Sequence, residues 1–131
     1  MLYFFQSSYK TSTRGYYIDI TEIRREIDLT QFDGMKLFIS PLSIHIIHYV
    51  YKYKTPDSKF DGVDKKYTIV PLSKTITLSA LSGPTKDFED NVQLHSAVAA
   101  DCDVFLTSDE KLLSMAYFGK MRIASKIRSD S

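Results

Sequence analysis

The sequence predicts an α/β domain built around a mostly parallel β-sheet. Segments with strand composition alternate with segments of helical periodicity along the chain, which is the pattern of βαβ units. The segment "DVFLT", residues 103–107, is continuously apolar after its first residue, as expected for a strand covered on both faces. With 131 residues and 15.0 kDa, the chain suits one domain, residues 1–131.

The first half of the chain predicts two helices, a strand and a loop. Apolar residues recur at helical spacing between positions 17 and 27, which favours a helix there. "KLFIS", residues 36–40, predicts a strand, and Ser40 before Pro41 is a typical helix start that leads a helix over about residues 41–53. Residues 54–66 are rich in turn formers and charge, and they predict an exposed loop.

The second half repeats the alternation of strand and helix. "KYTIVPL", residues 66–72, predicts a strand, and Ser73 is positioned to cap a short helix that ends near Gly83. Thr85 is expected to open a helix with an apolar stripe on one side and acids in its first turn. After the "DVFLT" strand, Ser108 is expected to cap a last short helix.

Composition narrows the function only slightly. The formal net charge of +1 gives no global attraction to nucleic acid or membrane. Cys102 is the only cysteine, so no internal disulfide and no four-thiolate zinc site can form, which suits the cytoplasm. The longest uncharged run, Leu37 to Tyr51, is too short for a membrane span. The basic residues near the C-terminus favour a solvated face over a phosphate-binding patch; they are Lys120, Arg122, Lys126 and Arg128.

Carboxylates lie at both ends of the helix–strand unit "KDFEDNVQLHSAVAADCDVFLTSDEKLL", residues 86–113. Asp90 lies in the first turn of the predicted helix, and Asp109 follows the strand at the sheet edge where open α/β folds bind ligands. Thr107 and Ser108 are positioned to orient the Asp109 carboxylate. A helix antiparallel to its following strand brings both to one end of the layer. Converging carboxylates suit Mg²⁺ or Mn²⁺. Acids that only stabilise a helix start, by about 0.3 to 1 kcal/mol each, explain the same spacing without a ligand.

The same segment resembles the C-terminal half of a PIN domain. Members show an Asp that begins an alanine-rich helix, here Asp90 in "EDNVQLHSAVAA", and a strand that ends in Thr, one residue and Asp, here Asp109 in "FLTSD". "KLFISPLSIHIIHYVYKY" and "YTIVPLS" also resemble preceding elements of that family. The resemblance implies a three-layer α/β/α fold and a metal-dependent ribonuclease, with Asp90 and Asp109 as catalytic metal ligands for Mg²⁺ or Mn²⁺. VapC-like members are toxins paired with an antitoxin protein.

The N-terminal part departs from the family pattern. No strand ending in Asp-x-Asn precedes residue 19, so we expect the usual first strand and its acid to be absent. Asp19 in "YYIDI" is a candidate for that acid, but its helical context favours an exposed helix face. His45 stands where many members carry a Glu. The alternative function is therefore a catalytically impaired or truncated PIN-fold protein that binds a protein partner. A missing strand would expose sheet edges, so we also predict a homodimer, and no membrane association.

Three other patterns favour structural roles. His45, His48 and His95 are expected to be half-buried or surface residues, because no Cys or Glu completes a zinc site near them. The alternation of Tyr and Lys in "HYVYKYKT" favours a helix end over an RNA contact, since residues two apart do not share a helix face. A phosphoacceptor domain centred on Asp109 ranks last, because the acids expected after the first strand of such a domain are absent.

Overall fold

A computed structural model of the chain describes residues 15–19 and 34–125. Within these ranges the strands are β1 Tyr16–Ile18, β2 Leu37–Ile39, β3 Thr68–Ile69, β4 Val104–Leu106, β5 Tyr117–Phe118 and β6 Met121–Ala124. The α-helices are α1 Pro41–Tyr51, α2 Val63–Lys66, α3 Lys74–Ser82, α4 Phe88–Ala99 and α5 Glu110–Leu113, and a short 3-10 helix covers Ser58–Phe60.

The described strands form one mixed sheet with the order β3-β2-β1-β4-β6-β5. Every neighbouring pair is parallel except β5 and β6, which form an antiparallel hairpin. The register places Tyr16 opposite both Leu37 and Val104, so β1, β2 and β4 begin and end at the same level. The predicted α/β class with a mostly parallel sheet is confirmed.

The strand β1 corrects the sequence-based interpretation of the N-terminal region. It lies in the interior of the sheet, hydrogen-bonded to β2 on one side and β4 on the other. The prediction that the first strand is absent is therefore wrong. The predicted helix over residues 17–27 is wrong at residues 17 and 18, which belong to β1. Residues 20–27 lie outside the described ranges. Two tyrosines and an isoleucine, all buried, have high strand propensity, and this outweighed the helical spacing.

Side chains alternate between the two faces of the central strands. On one face, Tyr17 stacks on Phe105 with ring centroids 5.0 Å apart and packs against Leu94 and Ala97 of α4. The opposite face carries a second cluster, to which α1 and α2 contribute at its edge; its strand residues are Tyr16, Ile18, Leu37, Ile39, Val104 and Leu106. Helices thus cover both faces of the sheet, as the three-layer prediction requires.

Two of the four predicted helix caps are confirmed, and two are shifted to another residue. The Ser40 hydroxyl accepts a hydrogen bond from the Leu42 amide (3.0 Å), and Ser73 does the same for Ile76 (3.0 Å), so both predicted caps are confirmed. The helix α4 is capped by Asp87 instead of Thr85, and α5 by Asp109 instead of Ser108. In both shifted cases a carboxylate oxygen caps the free amides in place of a nearby hydroxyl.

Two segments contain more structure than predicted. The expected loop over residues 54–66 includes the 3-10 helix and α2. The basic region near the C-terminus contains the β5–β6 hairpin, with Lys120 in its turn and Arg122 on β6, while residues 126–131 lie outside the described ranges. Gly119 adopts φ of 62° in that turn, a conformation that glycine accommodates at low cost. None of the helices in the described part of the chain has the length and apolar composition needed to cross a membrane.

Candidate functional site

Asp19 lies directly after β1, at the carboxyl end of the sheet interior. Its backbone amide donates a hydrogen bond to the Leu106 carbonyl (2.9 Å), which extends the pairing of β1 with β4 by one residue. The residue is only 4% exposed. The prediction of an exposed Asp19 is therefore wrong, because the residue ends a buried strand and does not belong to the surface of a helix.

Thr107 connects the ends of β1 and β4. Its side chain is fully buried, and its hydroxyl donates a short hydrogen bond to Oδ2 of Asp19. The same hydroxyl oxygen accepts a hydrogen bond from the backbone amide of Asp109 (3.0 Å). One threonine therefore fixes both the Asp19 carboxylate and the backbone that carries Asp109.

Asp109 follows Thr107 by two residues and caps α5. Its Oδ1 atom accepts hydrogen bonds from the backbone amides of Lys111 (2.8 Å) and Leu112 (3.3 Å). These amides orient the carboxylate, and Oδ2 takes no part in the cap. One oxygen of Asp109 thus caps the helix. The side chain lies past the carboxyl end of β4, where open α/β folds bind ligands.

Asp90 lies in the first turn of α4, where its backbone amide donates a hydrogen bond to Oδ1 of the capping Asp87 (3.1 Å). Burial raises the pKa of the Asp90 carboxyl to about 7, and repulsion from Asp87, Asp109, Asp19 and Glu89 contributes to the rise. These carboxylates therefore act on one another across three elements. The structure brings Asp90 and Asp109 to the same end of the sheet, as the sequence predicted, and adds Asp19.

The chemistry of these side chains suits a hard divalent cation. Carboxylate oxygens are the ligands of Mg²⁺ and Mn²⁺, while zinc prefers imidazole and thiolate. Within residues 15–19 and 34–125, no three His, Cys, Asp or Glu side chains are grouped closely enough to enclose a metal ion. The donor types are those that magnesium takes, and magnesium commonly completes its coordination with water and substrate oxygens when only one or two carboxylates bind it.

A buried polar network lies beside the acids. The hydroxyls of Tyr17 and Ser43 both donate hydrogen bonds to Oε1 of Gln93, each at 3.1 Å. Burial raises the pKa of the Tyr17 hydroxyl far above its ordinary value, and the charge of Asp19 adds to the rise. Tyr17 therefore stays neutral and acts as a hydrogen-bond donor in this network.

The histidines do not contribute to the site, which confirms the prediction that they are half-buried or surface residues. His45 is exposed and stacks on Tyr49 (centroids 6.4 Å apart), so it does not replace the Glu of the PIN pattern. A ring nitrogen of His48 bonds the Ile44 carbonyl (2.8 Å), and Nε2 of His95 donates to the Gly83 carbonyl (2.8 Å). The Tyr–Lys segment closes α1, which ends at Tyr51, as predicted.

Sequence reasoning missed Gln93 as part of this region and set Asp19 aside as a residue on a helix surface. The signal for Asp19 was present: "YYI" followed by an acid matches "VFLT" before Asp109, a short apolar run with a polar residue at its end. Thr107 was expected to orient the Asp109 carboxylate, whereas its hydroxyl bonds the Asp109 backbone amide and the Asp19 carboxylate. Gln93 carried no sequence signal, because a glutamine on a helix is ordinarily exposed.

A mostly parallel sheet with acids at the carboxyl ends of neighbouring strands defines the class as a PIN-like α/β fold. One solved structure of this fold is a chain from the crystal structure of VapBC2 from Rickettsia felis bound to a DNA fragment from their promoter. The TM-score is 0.59 at 16% sequence identity, and the match covers 82% of the present chain and 96% of the other. At this identity the likeness concerns the fold. No family model and no curated protein matches the sequence.

Proposed function

We propose that the protein is a metal-dependent ribonuclease of the PIN type. The observation that carries the proposal is the position of Asp19, Asp90 and Asp109 at one end of the sheet, where Thr107 joins two of them. Acids at the carboxyl ends of parallel strands are where α/β folds bind ligands. The buried Asp19 supplies the acid that the sequence pattern lacked, and this strengthens the case for activity over a disabled site.

Asp19, Asp90 and Asp109 would hold Mg²⁺ or Mn²⁺, which lowers the pKa of a bound water and polarises the RNA phosphodiester. Burial and the Thr107 hydroxyl fix the Asp19 carboxylate, while two backbone amides orient Asp109. Asp90 would contribute its carboxylate from the first turn of α4. Mutual repulsion among these acids costs stability, and a divalent cation would offset that cost.

We further propose an antitoxin partner that holds the ribonuclease inactive. The support is the likeness in fold to a chain from VapBC2, together with the VapC-like pattern of residues 86–113. Both α1 and α3 carry apolar side chains that are available to such a partner, since Tyr49, Val50, Leu78 and Leu81 are each more than half exposed. Co-purification of the chain with the product of the adjacent open reading frame tests the pairing.

The test of the ribonuclease is a cleavage assay on labelled RNA with Mg²⁺, Mn²⁺ or EDTA. Cleavage is expected only with a metal, and Asp90→Asn and Asp109→Asn should each lower kcat by at least about 100-fold, as expected for loss of a metal ligand. Glu89→Gln is the matched control, because Glu89 is exposed in the same turn as Asp90. Equal cleavage by all four proteins would contradict the proposed site.

A catalytically impaired PIN-fold binding module is the second candidate. It is favoured by the exposed His45 at the expected Glu position and by the absence, among the described residues, of a closely grouped metal site. Metal-independent partner binding combined with no cleavage under any metal condition would support this candidate. Metal-dependent cleavage abolished by Asp90→Asn would exclude it.

A further inference from the structure

The buried network of Tyr17, Ser43 and Gln93 joins three elements at the end of the molecule that carries the acids. Tyr17 and Ser43 are 0% exposed and Gln93 is 2% exposed. Both hydroxyls donate to the same amide oxygen at 3.1 Å. Gln93 thus receives one hydrogen bond from β1 and one from α1 while it belongs to α4.

The network lies close to the acids in the chain as well as in space. Tyr17 precedes Asp19 by two residues on the same strand, so the two side chains share a face of the sheet. Gln93 follows Asp90 by three residues and therefore lies on the same side of α4, one turn further along. The bond between Tyr17 and Gln93 consequently fixes the start of α4 against the end of β1.

Stability alone does not account for this arrangement. Apolar side chains of similar volume at three buried positions would pack without the cost of removing two hydroxyls and an amide from water. Directed hydrogen bonds instead select one position and one rotation of α4 relative to the sheet. That selection matters at this end, because the first turn of α4 carries Asp90, while Asp19 and Asp109 follow β1 and β4.

We infer that Gln93, with Tyr17 and Ser43, is a positioning residue that holds Asp90 beside Asp19 and Asp109 for divalent-metal binding. The inference rests on the proposed ribonuclease function and deepens it. Gln93 touches neither metal nor RNA. It acts through the placement of α4. Its loss should therefore lower the affinity for the divalent cation more than a substitution that only destabilises the fold.

The first experiment measures Mn²⁺ affinity by electron paramagnetic resonance, together with thermal unfolding. Gln93→Met keeps the side-chain length and removes the acceptor, and it should weaken Mn²⁺ binding about 10-fold, as is typical when support of a ligand is lost. Tyr17→Phe and Ser43→Ala each remove one bond and should have smaller effects in the same direction. At saturating Mn²⁺ most of the RNA-cleavage rate should return.

Val92→Ala is the control for a general loss of stability. Val92 is buried on the same helix, one residue before Gln93, but it packs against α3 residues Ile76 and Ala80. The variant should lower the unfolding temperature and leave the Mn²⁺ affinity within about twofold, because its cavity lies away from β1. Equal weakening of Mn²⁺ binding by Val92→Ala and Gln93→Met would overturn the positioning role.

A second experiment needs no metal and separates this inference from the proposed function. In EDTA, amide hydrogen exchange in the first turn of α4 should be about 10-fold faster in Gln93→Met than in the wild type, because the bonds that fix this helix to β1 and α1 are lost. Equal exchange in the two proteins would overturn the inference. A protein that shows the faster exchange yet neither binds Mn²⁺ nor cleaves RNA would refute the ribonuclease and retain the positioning role.

Discussion

The two ends of the central strands differ in chemistry although the same strands form both. At the carboxyl end, Asp19, Thr107 and Asp109 follow β1 and β4, and Asp90 lies in the first turn of α4. At the amino end, backbone hydrogen bonds continue the sheet, from the Asp103 amide to Gly15 (2.9 Å) and from the Arg122 amide to Asp103 (3.0 Å). A cavity of about 360 Å³ at that end is lined mainly by apolar surface and includes His95, Phe118 and Met121.

The difference separates stability from chemistry within one sheet. The amino end is held together by backbone pairing and close packing, which stabilise the fold. The carboxyl end concentrates acids whose repulsion and burial raise the pKa of Asp90 to about 7, so it costs stability in the absence of a counter-ion. Substitutions of the acids at the carboxyl end should therefore change RNA cleavage, and substitutions at the amino end should change the free energy of unfolding.

The largest expected effect is on catalysis at the carboxyl end. Asp19→Asn removes a buried carboxylate and should lower metal-dependent RNA cleavage by about 100-fold or more, as for loss of a metal ligand. Asp103→Asn, at the amino end of β4, is the matched control and should keep cleavage within about threefold. Initial rates on labelled RNA at saturating Mg²⁺ measure both, and equal losses would remove the distinction between the two ends.

Thr107→Val should have the next largest effect, and it acts on stability. The variant leaves the buried Asp19 Oδ2 and the Asp109 amide without their partner, which should cost about 2 to 4 kcal/mol of unfolding free energy. Thr107→Ser keeps the hydroxyl and loses one methyl group, so it should cost about 1 kcal/mol. Urea denaturation compares the two variants. A serine variant as unstable as the valine variant would argue for packing instead of hydrogen bonding.

Gly15→Ala tests close packing at the amino end. A Cβ atom at residue 15 would lie 2.3 Å from Cε1 of Phe38, so the ring or the strand must move, at a cost of about 1 to 3 kcal/mol. Metal affinity should stay unchanged, because the acids lie at the other end. A second substitution, Phe38→Leu, should recover part of the loss in thermal unfolding. A stability loss without any recovery would show that space at Phe38 is not the cause.

The smallest effect is a gain in stability for Asp90→Asn without metal. The pKa of Asp90 rises from 3.8 to about 7 on folding, so the fold binds an extra proton between these values and loses stability as pH increases through them. The neutral Asn should therefore stabilise the protein at pH 8 by about 1 kcal/mol, after screening by water is allowed for, and by almost nothing at pH 4. Urea denaturation in EDTA, with Glu89→Gln as control, measures the difference; equal gains at both pH values would contradict it.

The sequence was sufficient for the parts of the fold with strong local signals. Continuous apolar composition identified β4, and the Ser40 and Ser73 caps identified the starts of α1 and α3. The acids Asp90 and Asp109 were placed at one end of a layer from the antiparallel packing of helix on strand. These predictions depend on short stretches in which composition and tertiary context agree.

Other parts depended on partners far away in the chain. A three-residue strand such as β1 carries little propensity of its own, and it forms because β2 and β4 pair with it on both sides. Asp19 was misplaced for the same reason. With β1 present, the exposed sheet edge that motivated the homodimer prediction does not arise from a missing first strand, and the homodimer itself stays a prediction.

The pairing of β1 with β4 also determines when, during synthesis, the carboxylates of the candidate site can come together. Asp19 leaves the ribosome before the hydroxyl of Thr107 and the carboxylate of Asp109, which follow almost ninety residues later. Since elongation proceeds at about 5 to 20 residues per second, the acids stay apart for several seconds. A nascent chain therefore cannot assemble the proposed carboxylate site until β4 has been synthesised and has joined the sheet.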